Sequence, residues 1–127
     1  MKDKKPYILL VDDDPLVIRM YQERLLNDGY DVRTAFDGRS ALEMVQQEKP
    51  EAILMDIMMP VLNGIETLRA LKENPATKDI PVFILTNLGD NQDDIAKIKN
   101  LGAKDYFVKM EISPKQVVKA IEQELNV

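Results

Sequence analysis

The sequence predicts an α/β domain, a five-stranded parallel sheet covered by helices on both faces. Three observations predict it. Short apolar runs alternate five times with segments of helical periodicity. Three of those runs are apolar at consecutive positions, as strands buried on both faces require. The glycines and prolines fall at the borders of these segments, where they act as punctuation.

Taken in chain order, the elements justify that reading. Tyr7–Val11 is short and apolar, with the residue types of a strand. Asp14-Pro15 then reads as an N-cap with proline at the first helical position. Val17, Tyr21 and Leu25, four apart, trace the apolar stripe of the first helix, and Gly29 stands where its C′ residue belongs. Asp31–Ala35 is more mixed and reads as an edge strand. Leu42 with Val45 marks a shorter helix. Ala52–Met55 is the third strand, and Ile65, Leu68 and Leu71 mark the third helix. Val82–Leu85 is the fourth strand, followed by a short helix through Ile95 and Ile98 that Gly102 closes. Tyr106–Val108 is the fifth. Ser113-Pro114 with Gln116 forms a capping box ahead of Val117, Ile121 and Leu125. Such alternation implies right-handed crossovers. For five strands the expected order is 2-1-3-4-5, a flavodoxin-like (βα)5 three-layer sandwich forming one domain over residues 1–127.

Composition narrows the chemistry. The 127 residues are 45% hydrophobic and 31% charged, which suits a folded domain with a real core. The net charge of −5 argues against direct nucleic-acid binding, which needs clustered Lys and Arg. No apolar run is long enough to span a membrane or to act as a signal peptide, so a cytoplasmic location is expected. With neither Cys nor His, there is no thiolate or imidazole for catalysis or metal binding. Any metal must be held by oxygen, which favours Mg²⁺, Ca²⁺ or Mn²⁺ over zinc.

In a sheet of this topology function gathers beyond the carboxyl ends of the strands, where strand order reverses. The first strand ends on Asp12, Asp13 and Asp14, and the third on Asp56. The fourth ends on Thr86 and the fifth on Lys109. Taken singly, each has an ordinary structural explanation. Asp14 is accounted for as a helix cap, and Tyr106 as a core aromatic with its hydroxyl at the surface. Jointly, four strands deliver carboxylates, a hydroxyl and an ammonium to one edge. Three neighbouring acids repel one another, and a hard divalent cation would offset that repulsion. Asp56 could then act as a carboxylate nucleophile toward phosphorus, with Thr86 and Lys109 neutralising phosphoryl oxygens.

ILLVDDDP, ILMDIMMPVLNG, IPVFILT and GAKDYFVK, in this order and spacing, resemble the response-regulator receiver domain of two-component signalling along essentially the whole chain. The resemblance implies that Asp56 accepts a phosphoryl group from a histidine kinase or His-phosphotransfer protein. It implies Mg²⁺, with Mn²⁺ as a substitute, held by Asp13, Asp56 and the backbone carbonyl of Met58, with Asp12 acting partly through water. Thr86 and Lys109 would contact the phosphoryl oxygens, and Thr86 and Tyr106 would form the switch. An output protein or domain, and a monomer or weak phosphorylation-dependent dimer, are expected. The family's face built by the fourth helix, fifth strand and fifth helix would include Lys97, Lys104, Asp105, Lys115 and Lys119, read here as a solvated charged face.

Two residues depart from the family pattern. Met110 replaces the proline that usually follows the lysine, so a trans Lys109–Met110 bond is expected. Asn87 stands where a small residue is usual; it would narrow access to the phosphoryl group or hydrogen-bond to it. Apolar Met58 and Leu88 occupy the positions that tune phosphoryl lifetime, which implies slow hydrolysis. A haloacid-dehalogenase-like phosphatase would need a second acid where Met58 stands. A nucleotide-binding module would need a glycine-rich loop after the first strand. The remaining alternative is a receiver-like interaction module that works without phosphorylation.

Overall fold

A computed structural model describes residues 6–59, 61–87 and 92–125. The observed order is β1 (Tyr7–Val11), α1 (Pro15–Asn27), β2 (Asp31–Ala35), α2 (Gly38–Gln47), β3 (Ala52–Asp56), α3 (Gly64–Glu73), β4 (Val82–Thr86), α4 (Gln92–Leu101), β5 (Asp105–Val108) and α5 (Pro114–Leu125). All neighbouring strands are parallel, and the sheet runs β2-β1-β3-β4-β5, as expected.

Burial explains which strands lie inside. Every residue of β1, β3 and β4 is buried, whereas β2 and β5 are only partly covered, as sheet edges are. The two faces build separate cores. Leu9, Val11, Ile53, Met55 and Ile84 pack toward α2, α3 and α4, while Ile8, Leu10, Leu54, Phe83 and Leu85 pack toward α1 and α5. Alternate side chains of one strand therefore serve opposite layers, which is why these strands are apolar at every position.

The helix borders follow local chemistry. Asp14 accepts a hydrogen bond from the Leu16 N–H and caps α1. Gly29 and Gly102 end α1 and α4 at φ 95° and 100°, a region costly for side chains with a Cβ. Ser113 and Gln116 bond reciprocally ahead of α5. Two caps escaped the sequence reading: Asp37 accepts from the Ser40 N–H, and Asn63 with Glu66 forms a full capping box. Their pattern, Asp or Asn followed by Gly and a polar residue three positions on, was present in the sequence.

Candidate functional site

The parallel sheet turns the carboxyl ends of β1, β3, β4 and β5 to one edge. Val11 is paired with Met55, Asp56 with Leu85, and Thr86 with Val108, so the acids following β1 and ending β3 share that edge with Thr86 and Lys109. Carboxylate oxygens of Asp12, Asp13 and Asp56 all lie within 4.8 Å of one another. Asp12 and Asp56 are buried, and Asp13 is exposed.

Lys109 stands between the two buried acids. Its Nζ lies 3.2 Å from Asp12 Oδ2 and 3.2 Å from Asp56 Oδ2. The backbone completes the anchoring: the Asp14 N–H donates to Asp12 Oδ1 at 2.9 Å, and the Met58 N–H donates to Asp56 Oδ1 at 3.4 Å. The Lys109 N–H donates to the Thr86 carbonyl at 2.8 Å, which ties the lysine's position to the end of β4. Thr86 itself is buried. An internal ammonium thus supplies countercharge to the acids, a role the sequence reading had given to a divalent cation alone.

Burial raises the Asp12 carboxyl above its ordinary value, against the Asp14 N–H and the Lys109 charge. Asp56 is raised first by burial and then by Asp12, with Lys109 opposing. For Lys109, burial favours the neutral amine, but the charges of Asp56 and Asp12 outweigh it and the net direction is up. Desolvation therefore wins at the acids and ion pairing wins at the lysine. An all-oxygen set of three convergent carboxylates with a charged neighbour fits a hard cation such as Mg²⁺.

The remaining expected residues fall around this centre. Met58 projects its side chain into solvent, 61% exposed, and Asn87 is also exposed. Leu88 lies outside the described residues. Tyr106 is half-buried against the core layer shared by α3 and α4, and the Lys99 ammonium sits 5.6 Å from its ring centroid. Lys97, Lys104, Asp105, Lys115 and Lys119 are exposed, with Lys104 paired to Glu124 at 3.2 Å. No described peptide bond is cis, so Lys109–Met110 is trans, and Met110 is 90% exposed. Sequence reasoning placed Tyr21 only on a core stripe; burial and the charge of Asp12 push its phenol up to about 12, so it lies within the electrostatic reach of the site.

The response regulator receiver domain family matches residues 8–122. The chain belongs to that family. Receiver domains are phospho-acceptor switches in signalling. Among curated relatives, a probable transcriptional regulator, ycf27, of Cyanophora paradoxa is 42% identical over 92% of this chain and 47% of its own length. The chain spans half or less of the length of the curated relatives it matches. Among solved structures, the chemotaxis response regulator CheY4 of Vibrio cholerae superposes with a TM-score of 0.85 at 30% identity, covering 94% of this chain and 98% of that one. The phosphorylated cyanobacterial phytochrome response regulator RcpA gives 0.85 at 33% identity, over 96% and 94%. Among the described residues of this receiver domain, no helix is long and apolar enough to cross a membrane.

Proposed function

We propose that this receiver domain, acting as one unit over residues 1–127, accepts a phosphoryl group on Asp56 from a histidine kinase or a His-phosphotransfer protein. The observation that carries this reading is Lys109 held 3.2 Å from both Asp12 and Asp56, beside a third carboxylate at Asp13. In the transfer an Asp56 carboxylate oxygen attacks phosphorus while the phosphorus–nitrogen bond to the donor histidine breaks, and the electron pair leaves with the imidazole. Burial keeps competing water away from Asp56, and its hydrogen bond from the Met58 N–H helps to fix the carboxylate's orientation. Lys109 supplies positive charge where phosphoryl oxygens gather, and Thr86 offers a hydroxyl from the adjoining strand end. Asp12, Asp13, Asp56 and the Met58 carbonyl would hold Mg²⁺, which supplies further charge neutralisation when bound.

The same reading assigns the switch to Thr86 and Tyr106, with repositioning of both carrying the signal to the α4–β5–α5 face. Met58 and Leu88 offer no group to orient a hydrolytic water, so the acyl phosphate is long-lived, and Asn87 adds bulk or a hydrogen bond beside it. The matched relatives are longer and include transcriptional regulators, which supports an output domain or partner responding to this switch.

Intact-mass measurement after incubation with Mg²⁺ and acetyl phosphate tests the proposal. One phosphoryl adduct on wild type and none on Asp56→Asn is expected. An adduct that survives Asp56→Asn, or steady donor consumption without an adduct, would overturn it. If Met58→Asn with Leu88→Glu leaves the decay rate unchanged, the lifetime argument fails.

A further inference from the structure

We propose that Tyr21 is a positioning residue for the acidic centre, orienting the Asp12 carboxylate through a single water held in the recess that the two side chains share. This rests on the reading of Asp12 as part of a divalent-cation site, and it adds a residue from the face of α1 that the sequence pattern assigns only to packing.

Tyr21 is 4% exposed, and among the described residues its hydroxyl has no direct hydrogen-bond partner. The ring is enclosed while the hydroxyl keeps a little solvent contact, and a phenol so placed normally bonds to protein or to a water. Asp12 and Tyr21 line a common recess of ≈ 10 Å³, whose remaining walls are apolar and include Leu10, Val17, Leu54 and Leu85. That is about the room one water needs, and a buried water also needs at least two polar partners. The only side chains of the lining able to hydrogen-bond are the Tyr21 phenol and the Asp12 carboxylate.

The chemistry is complementary. A phenol O–H donates and a carboxylate only accepts, so a water accepting from Tyr21 and donating to Asp12 satisfies both. Asp12 already receives the Asp14 N–H on Oδ1 and the Lys109 ammonium on Oδ2. Each carboxylate oxygen has a second lone pair, so the water adds a third fixed direction without displacing either donor. Groups that orient a metal-binding carboxylate in this way commonly tune cation affinity. Phenylalanine would preserve the ring's packing and remove only the donor.

The test is calorimetric titration of Mg²⁺ into wild type, Tyr21→Phe, Asp12→Asn and the double variant, each checked by urea unfolding. A three- to tenfold loss of Mg²⁺ affinity is expected for Tyr21→Phe in the wild-type background and none in the Asp12→Asn background. An equal loss in both backgrounds would assign Tyr21 a general packing role and overturn the proposal, as would no loss in wild type. A high-resolution crystal structure of wild type gives an independent readout should Tyr21→Phe fail to fold or wild type bind no Mg²⁺. An ordered water within hydrogen-bond distance of Tyr21 and Asp12 is expected. A dry recess, or a direct Tyr21–Asp12 bond, would overturn the proposal. Absence of Mg²⁺ binding by wild type with the water in place would instead count against the cation site itself.

Discussion

Replacing Gly64 with alanine tests how the acceptor is held in place. Gly64 opens α3, and its N–H donates to the Ile57 carbonyl at 2.8 Å. A Cβ built there would lie 2.4 Å from the Asp56 carbonyl oxygen and 2.7 Å from the Ile57 Cα, both backbone atoms that no rotamer change can move. Ordinary contact begins near 3.4 Å, so the two segments must separate by about 1 Å. Neither can yield freely. β3 is hydrogen-bonded between β1 and β4, and α3 is fixed by the Asn63–Glu66 capping box and by buried Thr67 and Leu68. Overpacking of this kind costs about 1–3 kcal/mol. A displacement of that size at a reacting group slows chemistry on the order of a hundredfold. Gly29→Ala is the matching control: nothing lies within 4 Å of its Cβ, but its φ of +95° costs an alanine about 1–2 kcal/mol. Urea unfolding and the intact-mass time course with acetyl phosphate and Mg²⁺ separate the effects. Gly64→Ala should lose both stability and phosphorylation rate, and Gly29→Ala stability alone. Wild-type behaviour of Gly64→Ala in both assays, or equally slow phosphorylation of Gly29→Ala, would refute the reasoning.

Other substitutions probe single terms. Among the described residues the Tyr7 hydroxyl is buried without a hydrogen-bond partner, and Arg33 stacks on its ring at 4.6 Å; Tyr7→Phe keeps the stacking and should gain about 1 kcal/mol, seen as a higher urea midpoint. Val61 is 69% exposed at φ 68°, a poor conformation for a β-branched residue, so Val61→Asn should also gain about 1 kcal/mol in thermal or urea unfolding. An unchanged or lowered midpoint would count against either claim. The buried acids set a pH dependence. A carboxyl raised in the folded state favours folding fully below its unfolded value, and that contribution is lost as pH rises through the folded value. In EDTA at neutral pH, Asp56→Asn should therefore be more stable than wild type. The gap should narrow as pH falls toward 4 and on adding Mg²⁺; a gap independent of pH in chemical denaturation would sink this account.

The fold was legible because buried strands leave a one-dimensional record. Ile8, Leu9 and Leu10 are apolar in succession because Leu9 serves one layer while Ile8 and Leu10 serve the other. The mixed pattern of Asp31–Ala35 correctly marked an edge, since only one side of β2 has a neighbouring strand. Parallel topology also explains why Asp12, Asp56, Thr86 and Lys109 could be grouped before any distance was known: residues at the carboxyl ends of parallel strands must share an edge. Other features depend on where segments remote in sequence touch, and they left no periodic trace. The packing of Gly38 against Thr67 and Leu62, the left-handed Val61 and the ammonium of Lys99 over Tyr106 belong to this class. Tyr21 shows the limit most plainly. Its four-residue spacing correctly placed it on the buried stripe of α1, but spacing says nothing of what lies beyond the ring's hydroxyl.

The position of Lys109 changes what the clustered acids imply. Like charges of Asp12, Asp13 and Asp56 within 4.8 Å suggest a site that needs an external cation to be tolerable. Instead, Lys109 at 3.2 Å from two of them supplies an internal positive charge that offsets part of that repulsion. The folded domain can therefore keep its carboxylates close without metal, although burial still pushes their protonation equilibria upward. Asp13 is the exposed acid of the cluster and has no such bridge to Lys109 among the described residues. On the proposed reading, a divalent ion would find a solvent-exposed carboxylate at Asp13, while the ammonium holds Oδ2 of Asp12 and of Asp56. On the proposed reading, phosphorylation adds negative oxygens next to this same lysine, so Lys109 must redistribute its contacts when Asp56 is modified. Its backbone N–H is bonded to the Thr86 carbonyl, and Thr86 and Val108 are paired across β4 and β5. The charge change at Asp56 thus has a short covalent and hydrogen-bonded route to the two strands that carry Thr86 and Tyr106.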